Sequence, residues 1–389
     1  MTFKTIIGQV ARGDDYFPRP QITDEIWKKL ESGSNLLLVA PRRVGKTSIL
    51  YNLLDKPKKN NIVIYYTSES VNNENEFYKK LFNHIVEELN GIKKYSAKVK
   101  SFLKNQLSRI ESIGKDGVKL GKSSLVYLEE LRKLLENIDL KEDKLIVLID
   151  EFSETVENII QDESERSAIH FLETKREIRH APEVQKKIQF VYSGSIGLEN
   201  IVSSINRMNL INDLAPIPVP PLNENEVKAL TDKIINGSGV TFDKGAFKYL
   251  LEIIEWWIPF YFQIILDEAD KILIDKNATV ITREIIDLAV VNALKQRTYF
   301  KPWVTRLRKA YKGSDFSFVK ELLNIISEKH TIPSNEIYDL AVNYKLENSY
   351  KNLINVLKHD GYINNNDNPK IYRFNSPLLR EWWNRNVAN

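Results

Sequence analysis

Glycine, lysine and threonine stand together at Gly45-Lys46-Thr47, inside "NLLLVAPRRVGKTSILYNLL" (Asn35–Leu54). The three types suit phosphate chemistry. Glycine lets backbone N–H groups approach an anion, a lysine ammonium reaches terminal phosphates, and a hydroxyl can ligate a metal ion. The tripeptide alone is common. Its context is more selective, because an apolar strand precedes it and an amphipathic run follows it, the strand–loop–helix setting of a phosphate loop. The candidate nucleotide-binding set is therefore Ala40, Pro41, Arg42, Arg43, Val44, Gly45, Lys46, Thr47 and Ser48. Lys46 is expected at the β- and γ-phosphates and Thr47 on Mg²⁺. The motif asks for Gly where this chain has Ala40; alanine is tolerated there if its φ stays negative, and Pro41 pushes it toward extended backbone.

Such a loop needs an acid supplied by a second strand, far in sequence but expected next to the first in the sheet. "KLIVLIDEFSE" offers one: Leu145–Ile149 read as buried, with Asp150 and Glu151 at the strand's end. Asp150 is the expected Mg²⁺ residue, and Glu151 the one that orients or deprotonates an attacking water. A solvated strand end is the plainer reading of the acid pair taken alone. Ser193 and Ser195 in "FVYSGSIG" are candidates for the γ-phosphate, or equally for an ordinary Ser/Gly turn. No Asn/Thr-Lys-x-Asp segment for guanine is found, which favours ATP.

These residues need a sheet to position them. Apolar runs at Leu36–Ala40, Asn61–Ser70, Leu145–Ile149, Ile188–Ser195 and, as a short edge strand, Ala215–Leu222 alternate with helical segments. That alternation predicts an α/β fold with a parallel sheet covered on both faces. Helices are expected at 22–32 (capped by Thr23), 47–54, 74–89, 125–138 and through "SERSAIHFLETKREIR". Residues 91–124 look like an insertion. From Asn223 the chain turns helical, at 224–236, 243–255, 259–275 and 282–297. Residues 315–386 then show three short helices and a hairpin, the pattern of a winged helix. The expected domains are 1–222 (α/β, P-loop), 223–298 (helical lid) and 299–389 (winged helix with a basic linker).

Composition bounds the rest. A chain of 389 residues with 42% hydrophobic and 10% aromatic content can build a sizeable core, and its net charge of +4 neither demands nor forbids nucleic acid. Cysteine is absent, which excludes disulfides and thiolate sites. No apolar run is long enough to span a membrane, and the N-terminus lacks a signal core, so a cytoplasmic location is expected.

The segments "YFPRPQITDEIWKKLESGSNLLLVAPRRVGKTSIL", "LIVLIDEF", "FLETKREIRH", "FVYSGSIGL" and "YRFNSPLLREWW" together resemble the archaeal-type P-loop ATPases. That family also occurs in bacteria and is related to the AAA+ origin-recognition ATPases and to STAND signalling ATPases. The resemblance spans nearly the whole chain, and the "PRRVGKTS" loop is its most specific element. It implies an AAA+-like domain, a lid and a winged helix, with Tyr16, Phe17 and Arg19 near the adenine. A hydrophobic staple onto the first helix is the alternative for Tyr16 and Phe17. It also implies that Arg176 and Arg179 are candidates for phosphate or intersubunit contacts, surface salt bridging being the alternative for each. Pro259 matches the family's lid element, but Trp257 stands where Gly is expected, so Trp256, Trp257, Phe260, Tyr261 and Phe262 read better as an aromatic cluster.

The expectation is an ATP-hydrolysing, Mg²⁺-dependent switch, with ATP between the nucleotide domain and the lid, and with DNA, a protein or a second copy of the chain as partner. The winged helix would offer Asn348, Lys351, Asn352, Asn355 and Lys358 to DNA. The basic, aromatic tract "RTYFKPWVTRLRKAYKG" (Arg297–Gly313) suits a nucleic-acid backbone or a linker that lays its basic stems over apolar surface. The alternative function is a winged-helix nucleic-acid-binding or adaptor protein in which ATP is mainly structural. A small-molecule kinase is disfavoured, because no acceptor pocket has a signature.

Overall fold

The computed structural model describes residues 3–91, 123–194, 197–366 and 368–388; most of the expected insertion, and Ser195, lie outside them. The chain divides into two compact units. One comprises Arg12–Ala40 and Lys46–Val219; the other comprises Met1–Ala11, Pro41–Gly45 and Pro220–Asn389.

The first unit is built on five parallel strands: β1 (Asn35–Val39), β2 (Asn61–Thr67), β3 (Lys144–Asp150), β4 (Ile188–Tyr192) and β5 (Leu214–Pro218). Their order is β2-β3-β4-β1-β5, so β5 is at an edge as expected. Leu145 through Ile149 are all fully buried. Successive strand residues point to opposite faces, so burial of every one requires cover on both. The expected adjacency of β1 and β3 is not found: β4 lies between them, pairing with both.

The helices of this unit are α1 (Pro20–Glu31), α2 (Lys46–Asp55), α3 (Glu74–Gly91), α4 (Ser123–Asn137), α5 (Phe152–Asp162), α6 (Glu165–His180), α7 (Pro182–Gln185) and α8 (Leu198–Ser204). Thr23 does not cap α1. Pro20 takes the first helical position, where its missing N–H is no loss, and the Thr23 hydroxyl donates back to the Arg19 and Pro20 carbonyls. Phe77, Phe152 and Phe171 pack edge-on or tilted under the sheet, with ring centroids 4.9–6.0 Å apart.

In the second unit, α9 (Glu224–Ile235) starts at a capping box between Asn223 and Glu226. It continues through β6 (Thr241–Phe242), α10 (Ala246–Ile254), α11 (Pro259–Asp275), β7 (Val280–Ile281) and α12 (Arg283–Lys295). The tract read as a basic linker is instead a helix, α13 (Arg297–Ala310), with Phe300, Trp303, Arg306 and Leu307 buried along one side. Pro302 sits inside it, and its missing N–H and the many cations hide the helical period in sequence.

The remainder is α14 (Gly313–Lys329), β8 (Thr331–Pro333), α15 (Ser334–Asn343), α16 (Tyr350–His359), β9 (Ile363–Asn364), β10 (Ile371–Phe374) and α17 (Pro377–Trp383). Three helices and a hairpin appear in the order expected of a winged helix. A further three-residue strand, β8, joins the hairpin to give an antiparallel sheet ordered β8-β10-β9. Among the described residues, no helix is long and apolar enough to cross a membrane.

Candidate functional site

In a parallel sheet all strands end on one side, and ligands gather outside those carboxyl ends. β1 and β3 end there at Val39 and Asp150. Beyond β1, Ala40 is not among the residues with positive φ, so the substituted glycine position has the backbone an alanine accepts. Two loop residues do enter the left-handed region, Arg43 at φ 65° and Gly45 at φ 100°. Gly45 is required by that conformation; Arg43 holds it at a cost.

Lys46 is 7% exposed at the head of α2, and its ammonium donates to the Ala40 carbonyl at 2.8 Å. The Thr47 hydroxyl donates to Asp150 Oδ2 at 2.8 Å. Asp150 is 2% exposed, and its other oxygen accepts the Glu151 N–H at 3.1 Å. Glu151 itself is left-handed at φ 55°, between the end of β3 and the first turn of α5. A non-glycine residue there is held by its surroundings, a feature that clusters at functional sites. Lys46, Thr47, Asp150 and Glu151 are thereby brought to one end of the sheet.

Tyr65 joins them without having been expected. Its phenol donates to Asp150 Oδ2 at 3.0 Å, and its ring stacks on Tyr51 at 4.4 Å. Burial first, and the Asp150 carboxylate next, push the phenol far above its ordinary pKa, so it stays a donor. In sequence it looks like one more β-forming aromatic residue of "NIVIYYT".

Ser193 follows β4, between the strands that carry the loop and the acid. It is fully buried, and its hydroxyl has no protein partner. Its backbone is fixed on both sides, N–H to the Ile149 carbonyl at 3.0 Å and carbonyl from the Phe152 N–H at 2.8 Å. The next residue, Gly194, admits no side chain: a Cβ would lie 2.1 Å from Ser153 Oγ.

The other expected residues have different surroundings. Tyr16 and Arg19 are 8% and 6% exposed; burial raises the Tyr16 phenol, which meets the Arg19 backbone. Phe17 is half-buried. Arg179 is 2% exposed and forks onto Asp213 at 2.6 and 2.8 Å, with a third bond to the Leu210 carbonyl at 3.0 Å. Arg176 reaches Asn212 at 3.2 Å, with its side chain 35% exposed. Beside Arg179, Lys175 is fully buried over the rings of Phe77 and Phe190, at 4.8 and 5.0 Å.

In the second unit, the Arg43 guanidinium lies 3.8 Å above the Phe260 ring and donates to the Tyr299 carbonyl at 2.6 Å. Burial brings its pKa down to about 10, which leaves it a cation at neutral pH. Pro259 opens α11. Trp256 and Tyr261 are buried and in contact, the aromatic cluster expected there, and it extends through Trp303 to Tyr362. On α16, Asn352, Lys351 and Asn355 are exposed, as is the preceding Asn348, whereas Lys358 is half-buried.

This is an α/β P-loop fold of the AAA+ kind, followed by a helical region. Residues 29–202 match the AAA domain family. The whole chain resembles the Walker-type ATPase PABY2304 of Pyrococcus abyssi, with a TM-score of 0.65 and 18% identity, covering 97% of this chain and 98% of that one. It also resembles the ORC2 protein of Aeropyrum pernix, described in ADPNP–ADP complexes, with a TM-score of 0.57 and 12% identity over 97% of this chain and 95% of that one. No curated protein matches the chain by sequence. The resemblance to archaeal-type P-loop ATPases is borne out in the fold.

Proposed function

We propose that the protein binds ATP with Mg²⁺ at the end of the sheet and hydrolyses it slowly as a nucleotide-dependent switch. The observation that carries this reading is the 2.8 Å contact between the Thr47 hydroxyl and the Asp150 carboxylate. A hydroxyl from the loop helix and an acid from another strand are the two groups that hold Mg²⁺ in such ATPases, directly and through water. Among the described residues no cluster of three or more His, Asp or Glu could cage a metal alone. That fits an ion completed by phosphates and water. The unpartnered buried hydroxyl of Ser193 also fits, since such a group calls for a water or ligand atom that protein does not supply.

When bound, Mg²⁺ would neutralise charge between the β- and γ-phosphates. Lys46 would exchange the Ala40 carbonyl for phosphate oxygens. Glu151 would orient the attacking water and accept its proton. Turnover separates these roles: Lys46→Ala should lose ATP binding, while Glu151→Gln should keep ATP and lose hydrolysis. Unchanged hydrolysis in Glu151→Gln would remove that residue from its role.

A second reading has a specific observation in its favour. The exposed Lys351, Asn352 and Asn355 on α16, with Asn348 in the turn before it, present hydrogen-bonding groups on the C-terminal segment. They suit DNA contact with ATP as a mainly structural ligand. Binding to duplex DNA that falls steeply with salt, and turnover no faster than in Lys46→Ala, would support that reading over the switch.

A further inference from the structure

A cavity of about 330 Å³ opens in the second unit between α13, α14 and the chain following α17, well away in sequence from the phosphate loop. Arg297, Lys301 and Arg308 line it from one side of α13, and Lys320 lines it from α14. No carboxylate lines it, and among the described residues none of these four side chains makes an ion pair. The helix has the reason for two faces written in its sequence. Phe300, Trp303 and Leu307 take the buried side, which leaves the intervening cations at the cavity. Arg297 and Lys301 are one helical turn apart, an arrangement of like charges that destabilises a helix unless an anion compensates it.

The cavity is not uniformly polar. Val304 and Trp382 contribute apolar wall, and Trp382 is 4% exposed, stacked on Phe300 at 5.6 Å. The Trp382 indole N–H is buried and has no acceptor from the protein. A volume at the lower end of the small-ligand range, partly apolar and lined by four unpaired cations, is the composition of an organic-anion pocket. A nucleic-acid backbone would call instead for a longer, open basic track.

We infer that this cavity binds a small organic polyphosphate, of a size up to a single nucleotide, as an effector separate from the ATP of the phosphate loop. Guanidinium and ammonium groups would share the phosphates, and Trp382 and Val304 would cover the carbon skeleton. The inference does not depend on the loop's assignment, because every residue it uses lies outside the loop.

The test uses the full chain at physiological ionic strength and calorimetric titration with inositol hexakisphosphate, a polyphosphate that is not a nucleotide. Lys46→Ala should bind it as the wild type does. The double variant K301E/R308E should lose at least tenfold in affinity. The milder Arg297→Gln, which keeps the helix and removes one cation, should lose severalfold and serves if the double variant does not fold. Absence of binding to the wild type, equal binding in wild type and both cavity variants, or loss of binding in Lys46→Ala would each overturn the inference. So would tight binding of a single-stranded oligonucleotide that these cavity variants abolish while the hexakisphosphate fails to bind.

Discussion

The Thr47 hydroxyl donates to the Asp150 carboxylate across 2.8 Å, although 103 residues separate the two in the chain. Asp150 also accepts from Tyr65 and from the Glu151 amide, so its oxygens are held before any ligand arrives. Asp150→Asn keeps the shape and removes the charge. The variant should lose roughly 10- to 100-fold in Mg²⁺-dependent nucleotide affinity, with a smaller loss when Mg²⁺ is chelated. Equilibrium binding with and without Mg²⁺ checks this, and equal losses in both conditions would detach Asp150 from the metal.

Lys175 is buried without a carboxylate facing it, and burial, with Arg179 adding repulsion, lowers its pKa to about 7 from 10.5. Between those values the unfolded chain binds the proton and the folded chain does not, so this group makes stability rise with pH from about 7 to 10.5. Lys175→Met should remove that slope and stabilise the protein at neutral pH by about 1–3 kcal/mol. Thermal midpoints from pH 6.5 to 9, on the order of one unit apart, read both effects. A variant with the wild-type slope would show that Lys175 is not its source.

The sheet was legible because its strands are short, nearly continuous apolar runs, and Lys46, Thr47 and Asp150 were legible because residue type and position coincide. What escaped was decided by packing. Strand order cannot be read from five similar runs, so the place of β4 between β1 and β3 was missed. Tyr65 was missed because a tyrosine in a strand is ordinary until its neighbour is known to be an acid. α13 looked like a linker because Pro302 and the six cations of the tract Arg297–Gly313 mask a buried stripe that only Phe300, Trp303 and Leu307 reveal.

Gly361 takes φ 86°, and a Cβ there would stand 2.5 Å from the Trp256 ring and 3.0 Å from Pro41 Cβ. Both contacts lie in the second unit, where the loop tip Pro41–Gly45 belongs. Gly361→Ala should destabilise this unit by about 1–3 kcal/mol through strain and forced movement of the indole. Calorimetry and tryptophan fluorescence should move together; an unshifted transition would mean that the contact relaxes freely.

Arg43 combines a stacked aromatic face with a charged hydrogen bond to a carbonyl. Arg43→Ala should cost about 1–3 kcal/mol of stability, and Arg43→Lys should recover only part of it, since an ammonium does not stack as a planar guanidinium does. Full recovery in the lysine variant would reduce the role of Arg43 to charge alone.

The most direct measurement is equilibrium binding of ATP with Mg²⁺ to the wild-type chain and to Lys46→Ala. The wild type should bind saturably and the variant should lose at least about tenfold in affinity, the free energy of one charged contact. Equal affinity in the two proteins would contradict it.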